Sequence, residues 1–104
     1  MEKLVARVTD QHTGTCDHGL PCCPHAVSGP IVEGSTNVFT NGLPQARDGD
    51  LVHHNCPHCG IGRVVASSET VFINGKKIAR LGDVVIYPGG SGKIVESSPD
   101  VFSG

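Results

Sequence analysis

All six histidines and all five cysteines of the chain fall in two short segments: His12, Cys16, His18, Cys22, Cys23 and His25, then His53, His54, Cys56, His58 and Cys59. Imidazole nitrogen and thiolate sulfur are the donors that suit tetrahedral zinc, at about 2.0 and 2.3 Å respectively. An odd cysteine count cannot be met by a fully paired disulfide framework, and histidine interleaved with cysteine favours metal over disulfides. His18, His25, His54 and His58 are the imidazole candidates and Cys56 the thiolate, with Cys16 in reserve, which is more donors than four places. His25 and His58 are expected to matter most to stability and His12 less. The H-E-x-x-H pattern of a catalytic zinc is absent, so the expected metal is structural and the chain is not read as an enzyme.

Two other chemistries compete for the same residues. Cys56-Pro57-His58-Cys59 is a C-x-x-C sequence, the motif of thiol-disulfide oxidoreductases, which depends on a helix N-terminus and a βαβ scaffold to lower the first thiol's pKa. Here the motif runs into Gly60-Ile61-Gly62 and a strand, and the corresponding place in the first segment holds Ala26. A zinc-binding adaptor module is the other alternative. Asp10, Asp50 and Asp83 recur in turns, where a carboxylate capping nearby backbone is the ordinary role. Arg7, Arg47 and Arg80 recur three residues before them and are expected to pair with nearby carboxylates. Gly89-Gly90-Ser91-Gly92 lacks the Lys-Ser/Thr of a phosphate loop and reads as a turn.

The recurrence itself organises the chain. Residues 23–52 aligned with 56–85 at a shift of 33 give 15 identities in 30 positions. A half copy at 92–104 parallels the first part of the unit, and a half copy at 4–10 parallels the last part. One half, two whole copies and one half make three units. Val38-Phe39-Thr40 and Val71-Phe72-Ile73 are predicted strands, each followed by Asn-Gly, the dipeptide suited to a type I′ turn. Pairing of the first strand with the last would complete a third hairpin and close the three units into a ring with pseudo-threefold symmetry, covering sheet edges. Both His/Cys segments precede equivalent strands, which places them at one end of the body.

A chain of 104 residues has room for one domain. Fourteen glycines, seven prolines and little helical periodicity point to a turn-rich, all-β fold with little or no helix. A net charge of −2 argues against nucleic acid as a partner. No apolar stretch approaches the ~20 residues of a membrane span, and the first residues lack a secretory pattern, so a chain made in the cytoplasm without a signal peptide is expected.

Two copies of V-F-x-N-G followed by Ala-Arg-x-Gly-Asp, a third unit divided between Val101-Phe102 and Ala6-Arg7-Val8-Thr9-Asp10, and histidine and cysteine in the loops resemble the PAAR-repeat family. The matching stretches are Leu43-Pro44-Gln45-Ala46-Arg47, Lys77-Ile78-Ala79-Arg80 and Leu4-Val5-Ala6-Arg7, of which only the Ala-Arg half keeps the family motif. The resemblance covers nearly the whole chain. It implies a small cone-like β body with zinc near its apex, bound by three histidines and one cysteine. It also implies a structural role, as the tip of a trimeric β-helical spike, either VgrG of a type VI secretion system or the central spike of a contractile phage tail. One monomeric chain would sit on each trimer, be delivered by injection and touch the target membrane transiently. Tyr87 stands where many relatives have His or Cys, so the third loop is expected to give no ligand.

Overall fold

Positive φ at both central residues lets a two-residue loop match the right-handed twist of its strands, and Asn-Gly adopts it at least cost. Asn41 and Gly42 lie at φ 52° and 80°, Asn74 and Gly75 at 56° and 81°. The computed structural model describes residues 3–16, 25–55, 60–68 and 70–103. Its strands are β1 (Lys3–Leu4), β2 (Gln11–Cys16), β3 (His25–Pro30), β4 (Phe39–Thr40), β5 (Leu43–Pro44), β6 (Leu51–His53), β7 (Ile61–Val65), β8 (Phe72–Ile73), β9 (Lys76–Lys77), β10 (Val84–Tyr87), β11 (Gly90–Ile94) and β12 (Phe102–Ser103). Among the described residues there is no helix, and the fold is all-β.

The Asn-Gly turns join β4 to β5 and β8 to β9. β1 pairs antiparallel with β12, Lys3 opposite Ser103 and Leu4 opposite Phe102, so the two half copies meet as expected. Inside these hairpins the chain crosses itself at Ala6, Ala46 and Ala79, all wholly buried. Ala6 N donates to Ala79 O at 2.9 Å, Ala79 N to Ala46 O at 3.1 Å and Ala46 N to Ala6 O at 3.2 Å, a closed circuit of backbone bonds. Backbones this close leave space for little more than a methyl group, which is why alanine recurs there.

Each crossing leads into a tight turn. The Arg7, Arg47 and Arg80 amides donate to Oδ2 of Asp10, Asp50 and Asp83 at 2.8, 2.7 and 2.8 Å. The guanidinium groups of Arg7 and Arg47 also reach those carboxylates, at 2.9 and 3.0 Å. Arg80 Nη2 donates instead to Ser67 Oγ, whose hydroxyl donates to Asp83 Oδ1. Desolvation lowers the Arg7 and Arg47 pKa values, but hydrogen bonding to aspartate outweighs it and the net shift is upward. The turn position before the aspartate has φ 82° at Gly49 and 87° at Gly82, and the first unit holds Thr9 there at 82°.

Beyond the turns the chain builds three longer hairpins, β2–β3, β6–β7 and β10–β11, which the sequence reading did not separate from the short ones. They form one antiparallel sheet in the order β3-β2-β11-β10-β7-β6. An Ile31–Val52 bridge and a 3.0 Å bond from Val32 N to Leu51 O join its two edge strands, so the sheet curls round until it meets itself. Alternate residues point inward. Val52, Val85, Ile31, Val64 and Ile94 fill the interior with His12 in the layer of Val52 and Val85.

Equivalent glycines decide how tightly these hairpins meet. A Cβ on Gly29 would collide with His53 O, one on Gly62 with Ile86 O, and one on Gly92 with Thr13 O. Residues 89–92 are therefore not simply a turn, correcting the reading above: the turn is confined to residues 88–89, and Gly90 opens β11. Their glycines are there because a neighbouring strand lies against them.

Candidate functional site

The register brings the loop-bearing ends of the three long hairpins together. Cys16 pairs with His25 on one side and Gly90 on the other, and Gly90 pairs back to Tyr87. His54 follows β6 at the same end and receives Gly60 across the loop, its N–H bonding Gly60 O at 3.0 Å. Cys16, the start of β3 and His53-His54, which are the described parts of the two His/Cys segments, thus share one end.

Inside that end lies a packed set of rings. The His54 and Tyr87 ring centroids are 4.6 Å apart, His12 and Tyr87 5.5 Å, and His12 and His54 6.3 Å with the planes nearly perpendicular. Tyr87 has this space because three strand positions lack a side chain: a Cβ on Gly14, Gly62 or Gly92 would strike its ring or hydroxyl. Cys16, fully buried, closes the set.

His12 has no exposed surface. Its Nε2 lies 2.7 Å from the His53 carbonyl, which can only accept, so Nε2 carries the proton. Burial lowers the His12 pKa and keeps the ring neutral, despite the opposing effect of that carbonyl. Nδ1 is then an acceptor and takes the Tyr87 hydroxyl proton at 2.7 Å. Burial pushes the Tyr87 phenol up to about 12, with nearby Cys16 adding to the shift. Removal of His12 would leave a cavity, a buried hydroxyl and a buried carbonyl without their partner.

Of the proposed ligands, His54 is largely buried and its Nε2 donates to Ile61 O at 3.2 Å. His25 is placed by backbone at the start of β3. Its side chain, together with His18, Cys56, His58 and the C-x-x-C cysteine Cys59, lies outside the described residues. Among the described residues no group of three or more His, Cys, Asp or Glu is poised to hold a metal. The His12–Tyr87 pair was not singled out from sequence. Its signal was there in the isolated glycines at 14, 62 and 92, since glycine inside a strand marks a close approach.

The opposite end carries the short hairpins. Phe39, Phe72 and Phe102, one from each, are 58%, 53% and 56% exposed. Neighbouring hairpins are tied side by side: Asn41 Nδ2 donates to Asp100 Oδ1 at 3.1 Å, and Asn74 Nδ2 to Asn37 Oδ1 at 2.9 Å. Buried Ser35, Ser68 and Ser98 each accept a backbone N–H at the entry to these strands.

A closed β body with three copies of one hairpin at one end and Cys16, His53 and His54 at the other makes a small repeat domain. The PAAR motif model matches residues 1–59 and again 56–104, and the chain belongs to the PAAR-motif family. No curated protein matches it.

Proposed function

We propose that the chain is a structural tip that caps and sharpens a trimeric β-helical membrane-puncturing spike, of the VgrG kind or the central spike of a contractile phage tail. The observation that carries this reading is the trio of exposed phenylalanines at equivalent positions of the short hairpins. A partner of exact threefold symmetry needs like surfaces presented three times, and a pseudo-threefold body presents them from one chain. The circuit through Ala6, Ala79 and Ala46 supports that symmetry. So do the equivalent contacts of Gly29, Gly62 and Gly92. The molecule's extents of 41 × 25 × 24 Å suit a tapering tip. Its work is mechanical, not catalytic, and it travels with the spike into the target membrane.

A structural zinc at the loop end, bound by four of His18, His25, His54, His58 and Cys56, belongs to the same reading. His54 fits such a role. Its Nε2 is engaged by the Ile61 carbonyl. Metal-binding histidines usually give one ring N–H to a backbone acceptor of this kind. When bound, zinc would cross-link loops that have little apolar surface of their own to bury.

The mass of a complex with a trimeric spike tests the docking. One chain per trimer is expected, and three per trimer would refute the symmetry argument. Phe39→Ser and Phe72→Ser should weaken docking at least tenfold while leaving the melting temperature within a few degrees, because exposed rings contribute little to the core.

A further inference from the structure

The outward face of the closed sheet is not the same on its three sides. Across β6, β7 and β10 the register sets Leu51, Arg63 and Ile86 in one row, with Val65 beside Val84 on one side of it. Ile61 lies on the other side, two residues along β7. Ile61, Val65, Val84 and Ile86 are 50%, 42%, 42% and 49% exposed. On β2 and β3 the equivalent outward places hold Gln11, Thr13, Ser28 and Pro30, and on β11 they hold Ser91 and Lys93; only the place of Val65 is aliphatic on every side, as Val32 and Val95. The core needs none of these outer aliphatics.

Arg63 stands in the middle of this wall. Its Nη1 donates to Gly49 O at 2.9 Å, and among the described residues no carboxylate pairs with it. An open cavity of about 280 Å³ adjoins it, bounded by Leu51, Ile61, Arg63, Ile86, Tyr87 and Pro88. With the sheet edges joined, a partner cannot add a strand and must pack face on. A second copy of this chain centred on the wall would set two Arg63 side chains at the twofold axis and would bring no carboxylate from the wall to either, which disfavours self-pairing.

We propose that this wall binds one segment of another polypeptide, with aliphatic side chains flanking an aspartate or glutamate that pairs with Arg63. Only one of the three sides is built this way, so the chain holds one such partner and does so independently of any contact at the phenylalanine end. The site is lateral, between the two ends of the molecule.

The probe is a nine-residue synthetic peptide alternating valine and threonine around a central glutamate, titrated into the ¹⁵N-labelled full chain and followed by amide chemical shifts. Shifts confined to Leu51 and residues 61–65 and 84–87, saturating at one peptide per chain, are expected. Affinity should fall at least fivefold for the glutamine version of the peptide, and likewise for Arg63→Gln and Ile86→Ser, each checked for unchanged amide dispersion elsewhere. No shifts, shifts on all three walls, or equal affinity for the glutamine peptide would overturn the proposal. So would broadening of these amides by phosphatidylglycerol vesicles but not by the peptide, which makes the wall a lipid surface. Shifts that depend on protein concentration alone would make it a dimer contact.

Discussion

Tyr87 is the only tyrosine and there is no tryptophan, so its titration can be read directly from the near-ultraviolet spectrum. Its phenol is held up to about 12 by burial, against an ordinary value of 10.0. The folded state therefore keeps a proton that the unfolded state loses first. The stability linked to it is complete below pH 10 and is lost as pH rises from there through about 12. Phenolate absorbance of the native protein should stay flat at pH 10.5, where an unfolded control is largely ionised; native titration near 10 would show the hydroxyl to be wet. Tyr87→Phe should cost about 1–3 kcal/mol in denaturant unfolding, since it leaves Nδ1 of buried His12 without its donor. Thr9 offers the opposite sign. It is β-branched, at φ 82°, where the other units have glycine. Thr9→Gly should stabilise by about 1 kcal/mol, because left-handed strain of about 1–3 kcal/mol is relieved against a smaller entropic cost. The bond from its N–H to Ile31 O at 2.8 Å does not depend on the side chain.

At the level of elements, the short hairpins were legible because Asn-Gly and the flanking Val-Phe carry a local signal. The long hairpins were less so. Their strands contain Gly14, Gly29, Gly62, Gly90 and Gly92, which lower strand propensity, and their value appears only once neighbouring strands are in place. Gly92→Ala should destabilise by several kcal/mol or abolish folding, as its Cβ would meet the Thr13 carbonyl and the Tyr87 hydroxyl. Gly60→Ala is the control: among the described residues its Cβ would meet only His54 O, at 3.8 Å, and the melting temperature should hardly move. Equal effects of the two would mean that backbone contact is not what the strand glycines serve. The repeat also found the Arg-Asp turns, since a motif present three times with an obligate partner three residues on is a local feature. The His12–Tyr87 pairing joins residues far apart in the chain, and no local pattern announces such a contact.

For the whole molecule, the closed sheet and the circuit of alanines make the body rigid without a large core. The loop end has no comparable device among the described residues, and the proposed zinc would supply one. Purified protein should contain about one zinc per chain, and exhaustive chelation should lower its melting temperature by well over 10 °C, structural zinc being worth up to about 10–16 kcal/mol in small domains. Metal-free protein with unchanged melting would remove zinc from the reading while leaving the docking face intact. The ligands themselves were legible only as a surplus of donors, because sequence shows which residues can bind a metal and not which of them converge.

Pairing of β1 with β12 sets residue 3 against residue 103. The third hairpin thus has no turn to nucleate it, and its strands must find each other across the length of the chain. Closing so long a loop costs entropy that the local Asn-Gly hairpins avoid, and contacts of this range slow folding. During synthesis β1 stays unpaired until β12 has emerged, so completion of the ring comes late. Joining the two ends through a new Asn-Gly turn and opening the chain at Asn41-Gly42 would make that late contact local. Such a permutant should refold faster than the parent in stopped-flow measurements while reaching the same native spectrum.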